Sequence, residues 1–232
     1  MNARFDGGQT PLHVVSQLEQ VDNIRTLIER KAELDAENDD KETPLFLVAR
    51  NGNDDATKLL LESKANVNHP DMEGRTPLQA ASESGHDTVA QSLIDHKANV
   101  DAQNTYEWTA LHLASRTGTS AVVQSLLRSG ANVNMPNDSG WTALHMASQM
   151  GHGDVVKLLL SNGANVDTQE GGRGETALHL AAYYGHGAVV ELLTTGDRRA
   201  EPHIRNKVGK TPSELARSEG HQDIVQLLEA LG

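Results

Sequence analysis

The feature that most constrains this sequence is a phrase that recurs about every 33 residues. Each copy begins with a threonine, and the threonines stand at positions 10, 43, 76, 109, 142, 176 and 211. The phrase reads Thr-Pro-Leu or Thr-Ala-Leu in the first six copies and Thr-Pro-Ser in the seventh. A period of this length indicates stacked copies of one small unit, each burying its apolar face against its neighbours.

The fifth copy, residues 134–166, shows what one unit contains. Thr142 is a suitable N-cap because its hydroxyl can accept a hydrogen bond from an amide of the first helical turn. Gly151 ends the first helix, because glycine adopts positive φ without a clash from a Cβ atom. A second apolar run then ends at Gly163. The pattern predicts two short helices and a hairpin loop per unit, and two such helices need neighbours to form a core.

The recurring threonine, leucine, histidine and glycine resemble the ankyrin repeat family over essentially the whole chain. The resemblance implies an all-α repeat solenoid of helix-turn-helix units joined by β-hairpin loops. We expect one domain over residues 1–232 in which the first and last repeats act as caps, since one side of each faces water. The repeats are placed at about 2–34, 35–67, 68–100, 101–133, 134–166, 167–199 and 200–232.

The first three repeats depart from this pattern where the second helix ends. Lys31, Lys64 and Lys97 stand where Gly130 and Gly163 stand in repeats 4 and 5. A residue with a Cβ atom costs on the order of 1 kcal/mol in the left-handed region. These three repeats are therefore predicted to be less stable than the middle ones.

Repeat 6 is longer than the others. One extra residue precedes its threonine, in the glycine-rich segment 170–174, and two more follow its second helix, within residues 194–199. The glycine-rich segment lacks the G-x-x-x-x-G-K-[ST] pattern of a phosphate-binding loop and follows no strand of a βαβ unit. We interpret it as a flexible hairpin tip.

Composition argues against several classes of protein. Cysteine is absent, so there is no disulfide framework and no thiolate metal site, and a reducing intracellular location, cytoplasmic or nuclear, is expected. Neither a signal peptide nor a membrane span is recognisable. The net charge of −12 repels nucleic acid phosphates and anionic membranes. Residues 1–105 hold 10 basic and 19 acidic residues, which could steer a partner with a basic segment.

The histidines at positions 13, 112, 145 and 179 all stand three residues after a repeat threonine. Successive copies should lie about 8–10 Å apart, whereas two ligands of one zinc ion must each come within about 2.1 Å of it. The family resemblance implies instead that each imidazole bonds the threonine of its own motif and the backbone of the adjoining hairpin. We expect no catalytic residue, cofactor or metal site, and an enzyme or metal-binding protein is a remote alternative.

Aromatic residues suggest where a partner would bind. Five of the seven lie in repeats 4 to 6, at positions that face the partner along the concave side in similar proteins. Tyrosine and tryptophan are enriched at interface hot spots. The predicted contact residues are Arg75, Tyr106, Trp108, Arg116, Trp141, Gln149, Met150, Tyr183 and Tyr184. The alternative is that the tryptophans only pack on neighbouring hairpins and that Tyr183 covers a helix end.

Together these features predict a monomeric, non-catalytic protein–protein interaction module without a cofactor. It would bind a protein or peptide along the concave groove and the hairpin tips, mainly in repeats 4 to 6. The alternative is a structural spacer, or a fragment of a larger protein whose activity lies elsewhere. In some ankyrin proteins hairpin asparagines are hydroxylated, and Asn68 and Asn134 match that sequence context loosely.

Overall fold

The structure, a computed structural model, describes residues 2–196 and 198–231. Met1, Gly232 and Asp197, which belongs to the predicted insertion at 194–199, lie outside the described residues. The described residues form fourteen α-helices in seven consecutive pairs, preceded by a short 3-10 turn at Asp6–Gly8. The helices are α1 (Pro11–Gln17), α2 (Val21–Glu29), α3 (Pro44–Asn51), α4 (Asp54–Glu62), α5 (Pro77–Ser84), α6 (Asp87–Asp95), α7 (Ala110–Thr117), α8 (Ser120–Arg128), α9 (Ala143–Met150), α10 (Gly153–Ser161), α11 (Ala177–Tyr183), α12 (Gly187–Thr194), α13 (Pro212–Ser218) and α14 (Gln222–Glu229).

The chain divides into two compact units. The first unit runs to Ala110, includes Arg128–Ala131 and contains α1 to α6; the second comprises Leu111–Leu127 and the residues from Asn132 onward. Within each unit, the first helices of adjacent repeats pack together, as α3 does on α1 and α11 does on α9. The second helices do the same, α4 with α6 and α10 with α12. Neighbouring repeats therefore build the core of each unit, as the repeat period predicts.

The leucine two residues after the repeat threonine forms the centre of each repeat. In the first six repeats this leucine is at most 2% exposed. Burying a leucine side chain contributes about 1.5–3 kcal/mol, so the position accounts for a large part of the apolar driving force. Repeat 7 has Ser213 there, and Ser213 is only partly buried. A terminal repeat has one face in water and needs less apolar packing, and the capping role of repeat 7 stays a prediction.

The hairpin tips contain no β-strand in the part of the chain that the structure describes. In repeat 5 two backbone bonds close the tip, from the Asn137 amide to the Trp141 carbonyl and from the Gly140 amide to the Asn137 carbonyl, both at 2.9 Å. The Asn137 side-chain oxygen accepts the amides of Ser139 at 3.0 Å and Trp141 at 2.8 Å. Because the side chain takes these amides, the predicted β-hairpin loop is a tight turn without a ladder of strand bonds.

The lysines that replace glycine adopt the left-handed conformation that the sequence predicts. The φ angles of Lys31, Lys64 and Lys97 are 63°, 75° and 69°, and those of Gly130 and Gly163 are 87° and 90°. The predicted conformation is confirmed, and at this helix end the residues with a Cβ atom at positive φ belong to repeats 1 to 3; Glu107, in the hairpin of repeat 4, also has a positive φ of 57°.

Replacing Lys64 with glycine should raise the free energy of unfolding by a few tenths to about 1 kcal/mol, because glycine has no Cβ to clash at positive φ. Urea denaturation of the two proteins measures the difference. Lys58→Gly, inside α4, is the opposite control and should destabilise by about 1 kcal/mol. An unchanged or lower urea midpoint for Lys64→Gly would contradict the assignment of strain to this position.

Candidate functional site

The histidines after the repeat threonines hold each hairpin to the next. The Nδ1 atom of His145 accepts the Thr142 amide at 3.0 Å, so Nε2 carries the proton and donates to the Thr168 carbonyl at 2.9 Å. His13 and His179 make the same bonds in their own repeats. Burial lowers the pKa of His145 to about 4, since no water can solvate a cation there. The structural role that the family resemblance implies is confirmed for these residues.

A second set of histidines, one residue after the glycine that ends each first helix, positions the helix ends of the preceding repeat. Each Nε2 donates to a backbone carbonyl about 3 Å away in the first helix of that repeat. The donors are His86, His152, His186 and His221, and the acceptors in the same order are Arg50, Arg116, Gln149 and Tyr183. Three of these acceptors are predicted contact residues, so this histidine set fixes the backbone that carries them.

The predicted contact residues are divided between the two units. Arg75, Tyr106 and Trp108 belong to the first unit; Arg116, Trp141, Gln149, Met150, Tyr183 and Tyr184 belong to the second. Tyr106, Met150 and Tyr184 are 57%, 48% and 47% exposed, and Trp108, Trp141 and Tyr183 are partly buried. None of these aromatic residues is fully buried, and a contact of each with a partner stays a prediction.

Arg75 already has partners inside the first unit. Its guanidinium lies 2.8 Å from the Asp71 carboxylate and 5.6 Å from the centre of the Phe46 ring. A guanidinium between a carboxylate and an aromatic face is held by both charge pairing and cation–π attraction. Arg75 therefore contributes to the fold of repeats 2 and 3, and a contact with a partner stays a prediction.

In the second unit, four predicted contact residues meet around one cavity. Trp141, Gln149, Tyr183 and Tyr184 line a space of about 360 Å³, together with Leu180 and residues of the repeat 6 hairpin. The rings of Tyr183 and Tyr184 meet edge to face with their centres 5.0 Å apart. The Gln149 amide donates to the Tyr184 hydroxyl at 3.2 Å. These contacts order the side chains before any partner arrives, which lowers the entropic cost of binding.

Glu170 shapes the hairpin on the other side of the cavity. It occupies the place of Asn137, but one further residue separates it from the repeat threonine. Its carboxylate accepts the Gly172 amide at 2.6 Å and the Glu175 amide at 3.1 Å. Burial alone would raise the pKa of Glu170, but these backbone amides hold it below its usual value. The longer side chain thus compensates for the inserted residue, and the predicted flexible tip has an ordered base.

Glu175 is a buried carboxylate with few partners. The residue is 8% exposed, and the one hydrogen bond that its carboxylate accepts among the described residues comes from the Asn206 side chain at 3.4 Å. Burial raises the pKa of Glu175; the charge of Arg173, which lines the same cavity, opposes this, and the Glu170 carboxylate adds to it. Within residues 2–196 and 198–231, no basic group lies within ion-pair distance of Glu175. The cavity therefore combines aromatic surface with two carboxylates, Glu170 and Glu175, and one guanidinium, Arg173, which forms no ion pair with Glu175.

The charged clusters at the two ends are partly used within the fold. In the acidic segment 33–42, Glu42 is buried and paired with Arg50, and Glu37 contacts His69 at 2.9 Å. Glu33, Asp39 and Asp40 are exposed. Basic residues near the C-terminal end also have acidic partners; Arg205 and Arg217 pair with Glu214 and Glu229. Neither cluster is a continuous surface of a single charge.

The two asparagines in the hydroxylation context link successive repeats. Asn68 accepts the Asn99 amide at 2.8 Å through its side-chain oxygen, and Asn134 accepts the Asn165 amide at 2.7 Å. Both residues are exposed.

Among the described residues, no group of three or more histidine, aspartate or glutamate side chains could hold a metal ion. The helices of that same part of the chain include none that is long and apolar enough to cross a membrane.

Comparisons with known proteins agree with the repeat architecture. Family models described as ankyrin repeats match residues 12–104, 93–170 and 154–194. The chain therefore belongs to the ankyrin repeat family, whose repeats generally mediate protein–protein interaction without catalysis. The crystal structure of the human ASB11 ankyrin repeat domain matches with a TM-score of 0.84, at 28% sequence identity, over 95% of this chain and 98% of that chain. The search of curated proteins found no match. The predicted fold class is confirmed.

Proposed function

We propose that this protein is a non-catalytic recognition module that binds a protein or peptide partner through repeats 5 and 6. The contact surface, named here the aromatic surface, consists of Trp141, Gln149, Met150, Tyr183 and Tyr184. Arg75, Tyr106, Trp108 and Arg116 are proposed as further contacts. The exposed acids of the first unit would raise the association rate of a basic partner. We also propose a monomer in the cytoplasm or nucleus.

One observation carries this proposal: the aromatic surface is ordered but only half covered. Met150 and Tyr184 are each about half exposed, although both sit at the end of a well-packed first helix. Exposed apolar area that surrounds a cavity is typical of a binding site. Covering these side chains would contribute favourable free energy at about 25 cal/mol per Å². The ordered rings would lose little conformational entropy on binding.

The double substitution Tyr184→Ala with Met150→Ala should weaken partner capture by about ten-fold or more, because interface hot spots lose at least about 2 kcal/mol on truncation. Capture from a lysate of the source cells, with the bound proteins identified and quantified by mass spectrometry, measures the effect. The melting temperature should change little, since half-exposed side chains contribute little to the core.

Leu18→Ala is the matched control. Leu18 stands eight residues after its repeat threonine, as Met150 and Tyr184 do, and it is 60% exposed in the first unit. It should leave capture unchanged. Equal capture by the double variant and the parent protein would refute the aromatic surface as the contact site, and a parallel loss of fold would show that these side chains are structural.

A further inference from the structure

A recurring side-chain pair within single repeats points to a specific ligand for the cavity. The residue just before the repeat threonine faces the residue seven positions after that threonine. In repeat 2 these are Glu42 and Arg50, which form an ion pair. In repeat 3 the order is reversed, and Arg75 lies 3.8 Å from Glu83. The two positions therefore accommodate one acid and one base in neighbouring repeats of the first unit.

Repeat 6 keeps the acid at the first position and lacks the base at the second, and the Arg173 guanidinium that lines the cavity forms no ion pair with the acid. Glu175 holds the position of Glu42, and Tyr183 holds the position of Arg50. Glu175 and Glu42 are equally buried, at 8% and 7% exposure. Yet the Glu175 carboxylate has one hydrogen bond, at 3.4 Å from a neutral amide. A buried carboxylate without a paired charge is unfavourable, and a cation from outside would remove that penalty.

The cavity also supplies the second element of an arginine site. In repeat 2 the Arg50 guanidinium lies 5.7 Å from the centre of the Phe46 ring, so it contacts both a carboxylate and an aromatic face. In repeat 6 the rings of Trp141, Tyr183 and Tyr184 line the same cavity as Glu175. A cation next to an aromatic face is attracted by the ring quadrupole, most strongly where water is displaced.

We propose that this cavity binds the guanidinium of an arginine side chain presented by a protein partner, with Glu175 as its ion-pair partner and the aromatic rings as its walls. The inference rests on the proposed function and names the chemistry of the partner. Arginine fits better than lysine, because a planar guanidinium can stack on a ring while it donates two parallel hydrogen bonds to one carboxylate.

The test uses three acetylated and amidated pentapeptides, Gly-Gly-X-Gly-Gly, in which X is arginine, lysine or citrulline. Each is titrated into the isotopically labelled full chain, and NMR follows the Trp141 indole and the amides of Gly172 and Glu175. The arginine peptide should bind about ten-fold more tightly than the citrulline peptide, which has the same shape without the charge; this corresponds to about 1.4 kcal/mol. The lysine peptide should fall between them. Equal affinities for arginine and citrulline, or shifts confined to other repeats, would overturn the proposal.

Two variants locate the binding in the cavity. Glu175→Gln should lower the affinity for the arginine peptide by about ten-fold. Tyr183→Arg restores the internal base found in repeat 2 and should abolish peptide binding while the protein stays folded. Glu42→Gln removes the equivalent carboxylate of repeat 2, where a guanidinium is resident, and should leave peptide affinity unchanged. Full peptide binding by Tyr183→Arg would overturn the proposal even if Glu175→Gln failed to fold.

The outcomes also separate this inference from the proposed function. If capture of the partner depends on Tyr184 but the arginine and citrulline peptides bind equally, only the arginine site is overturned. If the substitution at Tyr184 also leaves partner capture unchanged, the aromatic surface is overturned as well.

Discussion

Replacing Gly151 with alanine should lower the free energy of unfolding by about 3 kcal/mol. Gly151 has a φ of 75°, where a Cβ atom costs about 1–2 kcal/mol. A Cβ atom built there would also lie 2.7 Å from Nδ1 of His186, closer than the two atoms can approach. His186 would have to move, and its bond to the Gln149 carbonyl contributes about a further 1 kcal/mol. The same shift would disturb the backbone of the aromatic surface.

Gly163→Ala in the same repeat is the matched control. Gly163 has a φ of 90°, but the nearest atom to an added Cβ is 3.9 Å away, on the Arg198 side chain. The free energy of unfolding of this variant should therefore fall only by the cost of a Cβ atom at positive φ, about 1–2 kcal/mol. Urea denaturation monitored by circular dichroism measures both. Equal losses would show that packing of the histidine on the glycine is unimportant.

Acidification from pH 7 to pH 4 should remove about 3 kcal/mol of stability through His145 alone. The pKa of this histidine falls from 6.5 to about 4 on folding, so the folded state favours the neutral ring. The stability that the neutral His145 ring contributes is complete above pH 6.5 and decreases as the pH falls. It stops decreasing below about pH 4, where His145 is protonated in both the folded and the unfolded state. Protonation places a hydrogen on Nδ1, which then repels the Thr142 amide. Burial also lowers the pKa values of His13, His112 and His179, so the acid sensitivity should be larger for the whole chain.

The chain itself supplies the control for this prediction. In repeat 3 the equivalent position is Gln79, whose side chain accepts the Thr76 amide at 2.9 Å and donates to the Trp108 carbonyl at 2.6 Å. A glutamine thus makes the histidine's bonds without titrating. His145→Gln should fold at pH 7 and should lose less stability between pH 7 and pH 4 than the parent protein, by about 3 kcal/mol. Identical pH profiles in urea denaturation would show that His145 does not titrate in this range.

The repeat phrase predicts most of the fold because it repeats the local rules. The N-cap position of Thr142, the positive φ of Lys64 and the role of His145 each follow from a few adjacent residues or from the family resemblance, and the structure confirms all three. The Thr142 hydroxyl contacts Nδ1 of His145 at 2.9 Å. The absence of strands in the described hairpins was not predictable from the family pattern. It results from the side chain of residues such as Asn137, which takes the amides that a strand would use.

The cavity was harder to predict because it depends on residues that meet only in the folded state. Glu175 and Tyr183 are eight residues apart, on a hairpin and at the end of a helix, and nothing local shows that their positions face each other. The aligned repeats do hold the necessary signal, since Glu42 with Arg50 and Arg75 with Glu83 are complementary charges at those two positions. The role of Glu170 is not predictable from its neighbours for a similar reason. It becomes evident only when the hairpin of repeat 6, with its inserted residue, is compared with the Asn137 turn of repeat 5.

Hydrogen exchange of the free and the partner-bound protein tests the central claim most directly. If a protein partner covers the aromatic surface, amide exchange should slow in residues 170–175 and at the ends of α9 and α11 when the partner binds. The second helices α10 and α12 should exchange as before. Protection confined to α10 and α12, with residues 170–175 unchanged, would contradict the claim that this surface recognises the partner.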